Sequence, residues 1–283
     1  MNLGNSHFRR YALLLVIVCL SGSTIFAQEK TANQRKYNDF CDNNNYSYGD
    51  NKASFNEVRE TTLRPSDLLT VDGKRNGGIH VKGSNRADVL VRACVQAQGN
   101  SDEAARAVAR NIRIETSPVI HAENSTDDSN WAVSYEILVP RTANLKLTTH
   151  NGGISIDSVE GTMEFTALNG GVHLSEVAGD VKGKTTNGGL HIELSGNSWK
   201  GAGLDVETTN GGVHLSLPET YAAHIETGTV NGGFRSEIST LNVERKDRER
   251  AVRLNTDFNG GGATVRVITT NGGVHINTPD KTR

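Results

Sequence analysis

The sequence carries no strong charge of either sign, few cysteines and no apolar run long enough to cross a bilayer as a mature helix. Its 30 basic and 32 acidic residues give a formal net charge of −2. Removing the first 27 residues takes away Arg9 and Arg10 and leaves 28 basic against 32 acidic residues, a net of −4. Such a balance offers no phosphate-neutralising surface, so nucleic acid is not an expected partner. Of the three cysteines, Cys41 and Cys94 survive that removal. They stand either as one disulfide in an oxidising compartment or as two thiols.

The longest apolar run, Ala12 to Leu20, follows Arg9 and Arg10 and precedes small and polar residues that lead to Ala27. That order predicts a secretory signal peptide over residues 1–27 and an exported chain, periplasmic, at the cell surface or secreted. A retained anchor is the alternative, because Ile25 is bulky for the third position before a cut. Cys19 follows Val18, where a lipid-attachment site wants a small residue. No sorting motif marks where an exported chain would be retained, and "NTPDKTR" reads as a polar tail.

What the sequence has in abundance is one tripeptide. Asn-Gly-Gly begins at Asn76, Asn151, Asn169, Asn187, Asn210, Asn231, Asn259 and Asn271. Six residues before the asparagine stand Leu145, Met163, Val181, Leu204, Ile225 and Val265, all apolar. Two before it stand Thr149, Ala167, Thr185, Thr208, Thr229 and Thr269, all small, and between these columns lie polar residues such as Lys146, Glu164, Lys182, Asp205, Glu226 and Arg266. Apolar residues recur three and five positions after the asparagine, for example Val172 with Leu174 and Val213 with Leu215. The period of two predicts a half-buried strand on each side of every turn.

Asn-Gly between alternating strands can be a type I′ hairpin turn, since both residues tolerate positive φ. In a meander of such hairpins each turn meets only solvent, and eight copies of one tripeptide would be redundant. In a solenoid the same corner stacks on itself at about 4.8 Å, where side-chain amides can bond along a ladder. The opposite corners, "DSVEG", "SEVAGD", "LSGNSWKGAG" and "LPETYAA", vary in length as the Asn-Gly-Gly corners do not. The expected fold is therefore all-β: a right-handed β-solenoid of roughly 20-residue coils with Asn-Gly-Gly corners and one short α-helix, the antiparallel hairpin meander being the alternative.

The run from Leu145 to Ile276, with "TTNGGLHI", "TTNGGVHL" and "TTNGGVHI", resembles the DUF4097 adhesin family, bacterial envelope and surface proteins with T-x-N-G turns in β-strand repeats. The resemblance is weaker from about Val71. It implies a β-solenoid and a surface role without catalytic residues.

Residues 28–60 are polar and Asn-rich, and they read as a leader before a domain spanning 61–283, a short edge strand pinned by Cys41 being the alternative. "SDEAARAVARN" predicts a helix, with Ser101 as cap, Asp102 and Glu103 at its positive end and Arg106 and Arg110 towards its negative end. This helix is expected to close one end of the stack. "ERKDRERAVR", residues 244–253, reads as a solvated loop or edge guard.

Few features carry chemistry. His80, His173, His191, His214 and His275 stand four after the asparagine, and His173, His191 and His214 are expected as an outward row. Such a row can share Zn²⁺ or Cu²⁺ or repel itself when protonated, yet the motif supplies neither Cys nor regular carboxylates, so surface decoration is the expectation and no cofactor is assigned. The glycines are not followed by the Asp of calcium-binding repeats. No nucleophile motif, phosphate loop or paired acid points to an enzyme, a polysaccharide lyase or hydrolase being the form one would take here. Trp199 and Tyr221, in the variable corners, are the candidate glycan contacts. The sequence thus describes an exported, non-catalytic binding scaffold of the bacterial envelope whose partner is a surface glycan or an envelope protein. The alternative is an accessory to an envelope-stress signalling system.

Overall fold

The computed structural model describes residues 40–41, 52–126, 130–243 and 251–279. Residues 1–45 and 46–283 are two compact units. The signal segment 1–27, residues 28–39 and 42–51 of the leader, and 244–250 of the charged run lie outside the described residues. Both Cys41 and Cys94 are disulfide-bonded.

The first part of the larger unit holds β1 (Ala53–Leu63), β2 (Leu69–Asp72), β3 (Ile79–Ser84), β4 (Val89–Gly99), α1 (Asp102–Arg110), β5 (Ile112–Glu115), β6 (His121–Asn124) and β7 (Trp131–Pro140). Strand pairs follow: β8 (Leu145–Asn151) with β9 (Ile154–Asp157), β10 (Glu160–Asn169) with β11 (Val172–Ser175), and β12 (Ala178–Asn187) with β13 (Leu190–Glu193). Next come β14 (Gly203–Asn210) with β15 (Val213–Ser216), β16 (Ala223–Asn231) with β17 (Phe234–Ser236), the single strand β18 (Val252–Phe258), and β19 (Thr264–Asn271) with β20 (Val274–Asn277).

The two strands of a pair do not bond to each other. First strands assemble into an eight-stranded sheet in the order β18-β16-β19-β14-β12-β10-β8-β2, and second strands join a ten-stranded sheet in the order β1-β4-β7-β3-β9-β11-β13-β15-β20-β17. Within the repeats every pairing is parallel and in register, Met163 lying against Leu145 and Val181, and Leu174 against Ile156 and Ile192. A hairpin meander would instead pair β8 with β9 antiparallel. The chain thus makes a solenoid-like repeat, each coil crossing from one sheet to the other at Asn-Gly-Gly. Alternate residues of both sheets point into the shared core, where Val181, Ile225, Val265, Leu174, Ile192 and Leu215 are fully buried.

The coils do not stack in chain order. β19 lies between β14 and β16, and β20 between β15 and β17, so the last coil is inserted inside the one before it. Surface charge agrees with this arrangement. In the outward column of the eight-stranded sheet the spatial order becomes Lys146, Glu164, Lys182, Asp205, Arg266, Glu226, with signs alternating at every step. Chain order would set Asp205 beside Glu226, and like charges directly opposite are destabilising. Arg266 is ion-paired with Asp205, and Lys146 lies 3.5 Å from Glu164.

Seven of the eight asparagines form one ladder. Each Nδ2 donates to the Oδ1 of the next coil, Asn151 to Asn76 at 3.0 Å, then Asn169 to Asn151, Asn187 to Asn169, Asn210 to Asn187, Asn271 to Asn210 and Asn231 to Asn271, all at 2.8 Å. Beneath it, the buried hydroxyls of Thr185, Thr208 and Thr269 each donate at 2.7 Å to the carbonyl of the first glycine in the adjacent coil, Gly170, Gly188 and Gly211. The first glycine is required by this close approach and not by its own conformation. A Cβ on Gly211 would sit 2.1 Å from the Gly188 carbonyl oxygen, whereas one on Gly212 would meet nothing nearer than 3.4 Å. None of the ladder glycines has the positive φ of a type I′ turn.

Asn259 departs from the expectation. Asn259, Gly260 and Gly261 all have positive φ, 49°, 93° and 78°, and form a true turn after β18. The Asn259 side chain donates to the carbonyls of Glu219 and Tyr221 instead of to another asparagine. With no coil stacked on its glycines, the same three residues relax into the conformation that isolated Asn-Gly favours.

At the other end, β7, β4 and β1 extend the ten-stranded sheet beyond β3. The helix α1 forms as expected, the Ser101 hydroxyl accepting from the Ala104 N–H at 3.2 Å, and packs on β4 and β1, the last strands of that end. Arg59 of β1 donates to the Ala109 carbonyl at 2.8 Å, and Arg106 of α1 stacks 4.5 Å over the Phe55 ring. The same strand, Ala53–Leu63, runs across the expected leader boundary at residue 60 and pairs along its whole length with β4. Its mixed burial hides the alternation that a half-buried strand would show.

The corner geometry separates two neighbouring glycines. Gly211→Ala is expected to cost about 2–3 kcal/mol through overpacking, a drop in Tm of roughly 5–10 °C for a unit of this size. Gly212→Ala is expected to stay within about 0.5 kcal/mol. Thermal melting of both variants checks this, and equal losses would contradict it.

Candidate functional site

The second strands of the coils are short, and their alternation sends residues three and five after the asparagine inward and residue four outward. In the spatial order β3, β9, β11, β13, β15, β20, β17 this column reads His80, Ser155, His173, His191, His214, His275, Arg235. Four imidazoles are therefore consecutive. His173 stacks on His191 and His191 on His214, with ring centroids 4.9 Å apart and planes inclined by 19° and 17°. His275 joins at 4.9 Å with its ring turned to 80°. It becomes adjacent to His214 only through the insertion of the last coil.

Beside the imidazoles runs a second outward column, Asp157, Ser175, Glu193, Ser216 and Asn277. Sequence reasoning missed it because its residue types vary; what they share is the ability to accept a hydrogen bond. His191 Nε2 lies 3.1 Å from Glu193, the Ser175 hydroxyl donates to Glu193 at 3.3 Å, and His275 Nε2 lies 3.2 Å from Glu237. Burial and the neighbouring His191 hold His173 below the usual histidine value, and burial with His191 and His275 does the same to His214. Burial pushes the Glu193 carboxyl up, but the bond from His191 and the charges of His173 and His191 outweigh it and leave the group below the ordinary carboxylate range.

A metal ion shared by His173, His191 and His214 would need ring nitrogens within about 4.2 Å of one another, since Zn–N bonds are about 2.0–2.1 Å; the ring centroids stand 4.9 Å apart. Among the described residues no group of three or more His, Cys, Asp or Glu is placed to hold a metal. Charging the row would set cations side by side on a partly buried face.

The two candidate glycan contacts are almost wholly covered. Trp199 is 7% exposed and Tyr221 2%, both within the apolar core. The indole N–H donates to the Gly179 carbonyl at 3.0 Å, and burial pushes the Tyr221 hydroxyl up to about 12. These rings close the open side of the stack at its longest corners, where the strands spread and apolar surface has to be covered.

Among the described residues no helix is long and apolar enough to cross a membrane.

Two outcomes follow. His173 and His214, depressed in the folded protein, take up protons more readily when unfolded, so unfolding is favoured as pH falls below about 6.5. The variant His173→Asn/His214→Asn is expected to lose less stability than wild type between pH 7 and pH 5 in urea titrations; equal losses would contradict the assignment. Trp199→Ala is expected to destabilise by about 3–5 kcal/mol, as for a buried aromatic, and an unchanged melting curve would show the indole to be unpacked.

No curated protein matches the chain. Among solved structures it is similar to a candidate cell adhesion protein from Clostridium sporogenes, at 12% identity over 80% of this chain and 100% of that one, with a TM-score of 0.44. It is also similar to a candidate adhesin from Bacteroides fragilis, at 9% identity over 79% and 97% with a TM-score of 0.31. A candidate lipid binding protein from Parabacteroides distasonis matches at 6% identity over 80% and 97%, with a TM-score of 0.33. The model of the Toastrack DUF4097 family matches residues 67–277, the span that begins just before β2 and ends with β20, and the chain belongs to that family.

Proposed function

We propose that the protein is an exported, non-catalytic scaffold of the bacterial envelope. In this reading it is a right-handed β-solenoid of roughly 20-residue coils with Asn-Gly-Gly corners, and it attaches to surface glycan through its faces. The observation that carries the proposal is the outward repetition: four imidazoles at 4.9 Å intervals, flanked by a column of acceptors, on a stiff stack. Repeated side chains at a fixed rise suit a repeated partner, because weak contacts on one rigid body add without a fresh entropic cost for each. The likeness of the N-terminal segment to a signal peptide supports export, and family membership supports the surface role.

The test joins location to binding. Fractionation of cells producing the full chain is expected to place a product shortened by about the first 27 residues outside the cytoplasm. That product is expected to be retained on purified envelope polysaccharide. An unprocessed cytoplasmic chain would contradict export, and retention by envelope protein alone would move the partner from glycan to protein.

A further inference from the structure

A groove of about 470 Å³ runs along the variable corners, where the second strand of one coil leads to the first strand of the next. Its walls are unequal because the corners are. β9 and β11 reach the following strands through Ser158–Val159 and Glu176–Val177, while β13 reaches β14 only through the whole of residues 194–202. The long corner is fastened from both sides. Gly179 N–H donates to the Lys200 carbonyl at 2.7 Å, Ala222 N–H to the Asn197 carbonyl at 2.7 Å, and the Trp199 indole to Gly179. It forms a fixed wall over the buried floor of Val159 and Val177. The groove is lined from five connections, at residues 141, 158–160, 176–178, 195–200 and 221.

Arg141, Glu160, Glu176 and Lys200 line this groove. Among the described residues none of the four is in an ion pair, although Lys146 and Glu164, Lys82 and Asp157, and Lys182 and Asp180 pair on the open faces. Arg141 Nε donates to Asn85 at 3.2 Å and Glu176 accepts from Ser158, which occupies only part of the hydrogen-bonding capacity of the four. Ser158 and Glu176 adopt φ of 58° and 52°, in the left-handed region where residues other than glycine are uncommon and where strain gathers at ligand sites. The Ser158 hydroxyl donates to Glu176 at 2.8 Å and sets the direction of that carboxylate.

We propose that this groove binds a short saccharide, of the size that pockets of about 300–1,000 Å³ accommodate. Two cations and two carboxylates cancel, so the lining does not select a simple anion. Carboxylate, guanidinium and ammonium groups on the rim suit hydroxyls, which both donate and accept. A peptide would want an open strand edge to extend, and turns supply none. Tyr221 lines the groove at 2% exposure and offers a sugar little ring surface, so binding by one groove is weak, and attachment to a polymer takes many copies or a long chain. This deepens the glycan-binding reading above and rests on it.

The test is amide NMR on the full mature chain, titrated with cellotriose, triacetylchitotriose and trigalacturonic acid, and with the tripeptide Ala-Glu-Lys as a control. At least one saccharide is expected to shift amides at 158–160, 176–178 and 195–200. Glu176→Gln and Lys200→Met, both exposed, are expected to weaken it about tenfold each with unchanged melting curves, while Lys146→Met, on the open face of the eight-stranded sheet, leaves it intact. No shift with any saccharide, shifts confined to the histidine face, or shifts at the groove with the tripeptide alone would each overturn the proposal. Polymer retention that survives both groove variants would overturn the groove and leave the scaffold reading standing. Failure of wild type to be retained at all would instead remove that reading.

Discussion

The structure depends on how closely one corner can approach the next. At Gly170, Gly188, Gly211 and Gly272 the carbonyl of the neighbouring corner lies where a side chain would begin, 2.0–2.1 Å from an ideal Cβ. That proximity lets asparagine amides bond at 2.8 Å from coil to coil, and lets Thr185, Thr208 and Thr269 donate to glycine carbonyls below them. Each such bond contributes only about 0.5–1.5 kcal/mol net. Their larger effect is on register, because a slip by one residue would set Cβ atoms against carbonyls and turn the apolar columns to solvent.

Fixing one corner frees the other. Since the ladder sets the position of every coil, the opposite corner can be as short as Ser158–Val159 or as long as 194–202 without disturbing the sheets. The long corners require covering, supplied by Trp199 and Tyr221, and their overhang creates the groove. The stack also tolerates an excursion of the chain: β16, β17 and β18 are laid down one step ahead, and the coil at 264–277 fills the space between. Its corner sequence matches those on both sides, and Arg266 separates Asp205 from Glu226.

Much of this was legible in the residues. The columns at Leu145, Met163 and Val181 and at Val172, Leu190 and Val213 encode strands that bury one side, and the asparagine copies encode the in-register stack, because both rest on local periodicity. The insertion of the last coil was not legible: Asn271 is as good a partner for Asn231 as for Asn210, and only the charges of Asp205, Glu226 and Arg266 hint at the order. Asn259 misled because a tripeptide does not reveal whether another coil lies against it. The Thr column was read as small when its hydroxyls are what matters. Trp199 and Tyr221 sit among glycines, serines and charges, a local composition that suggests exposure, and their burial is a tertiary fact. The strand at Ala53–Leu63 was hidden by an edge position that blurs alternation.

The function proposed for the faces presupposes this spatial order, because the fourth imidazole of the row, His275, is contributed by the inserted coil. Cysteines at the exposed positions Thr209, Thr270 and Val230, introduced in pairs, report it directly. Each precedes a ladder asparagine, and adjacent paired strands lie about 4.8 Å apart, within disulfide reach. The account predicts rapid cross-linking between 209 and 270 and between 270 and 230 under mild oxidation, with none between 209 and 230, two steps apart. Ready cross-linking of 209 with 230 would contradict it and return the coils to chain order.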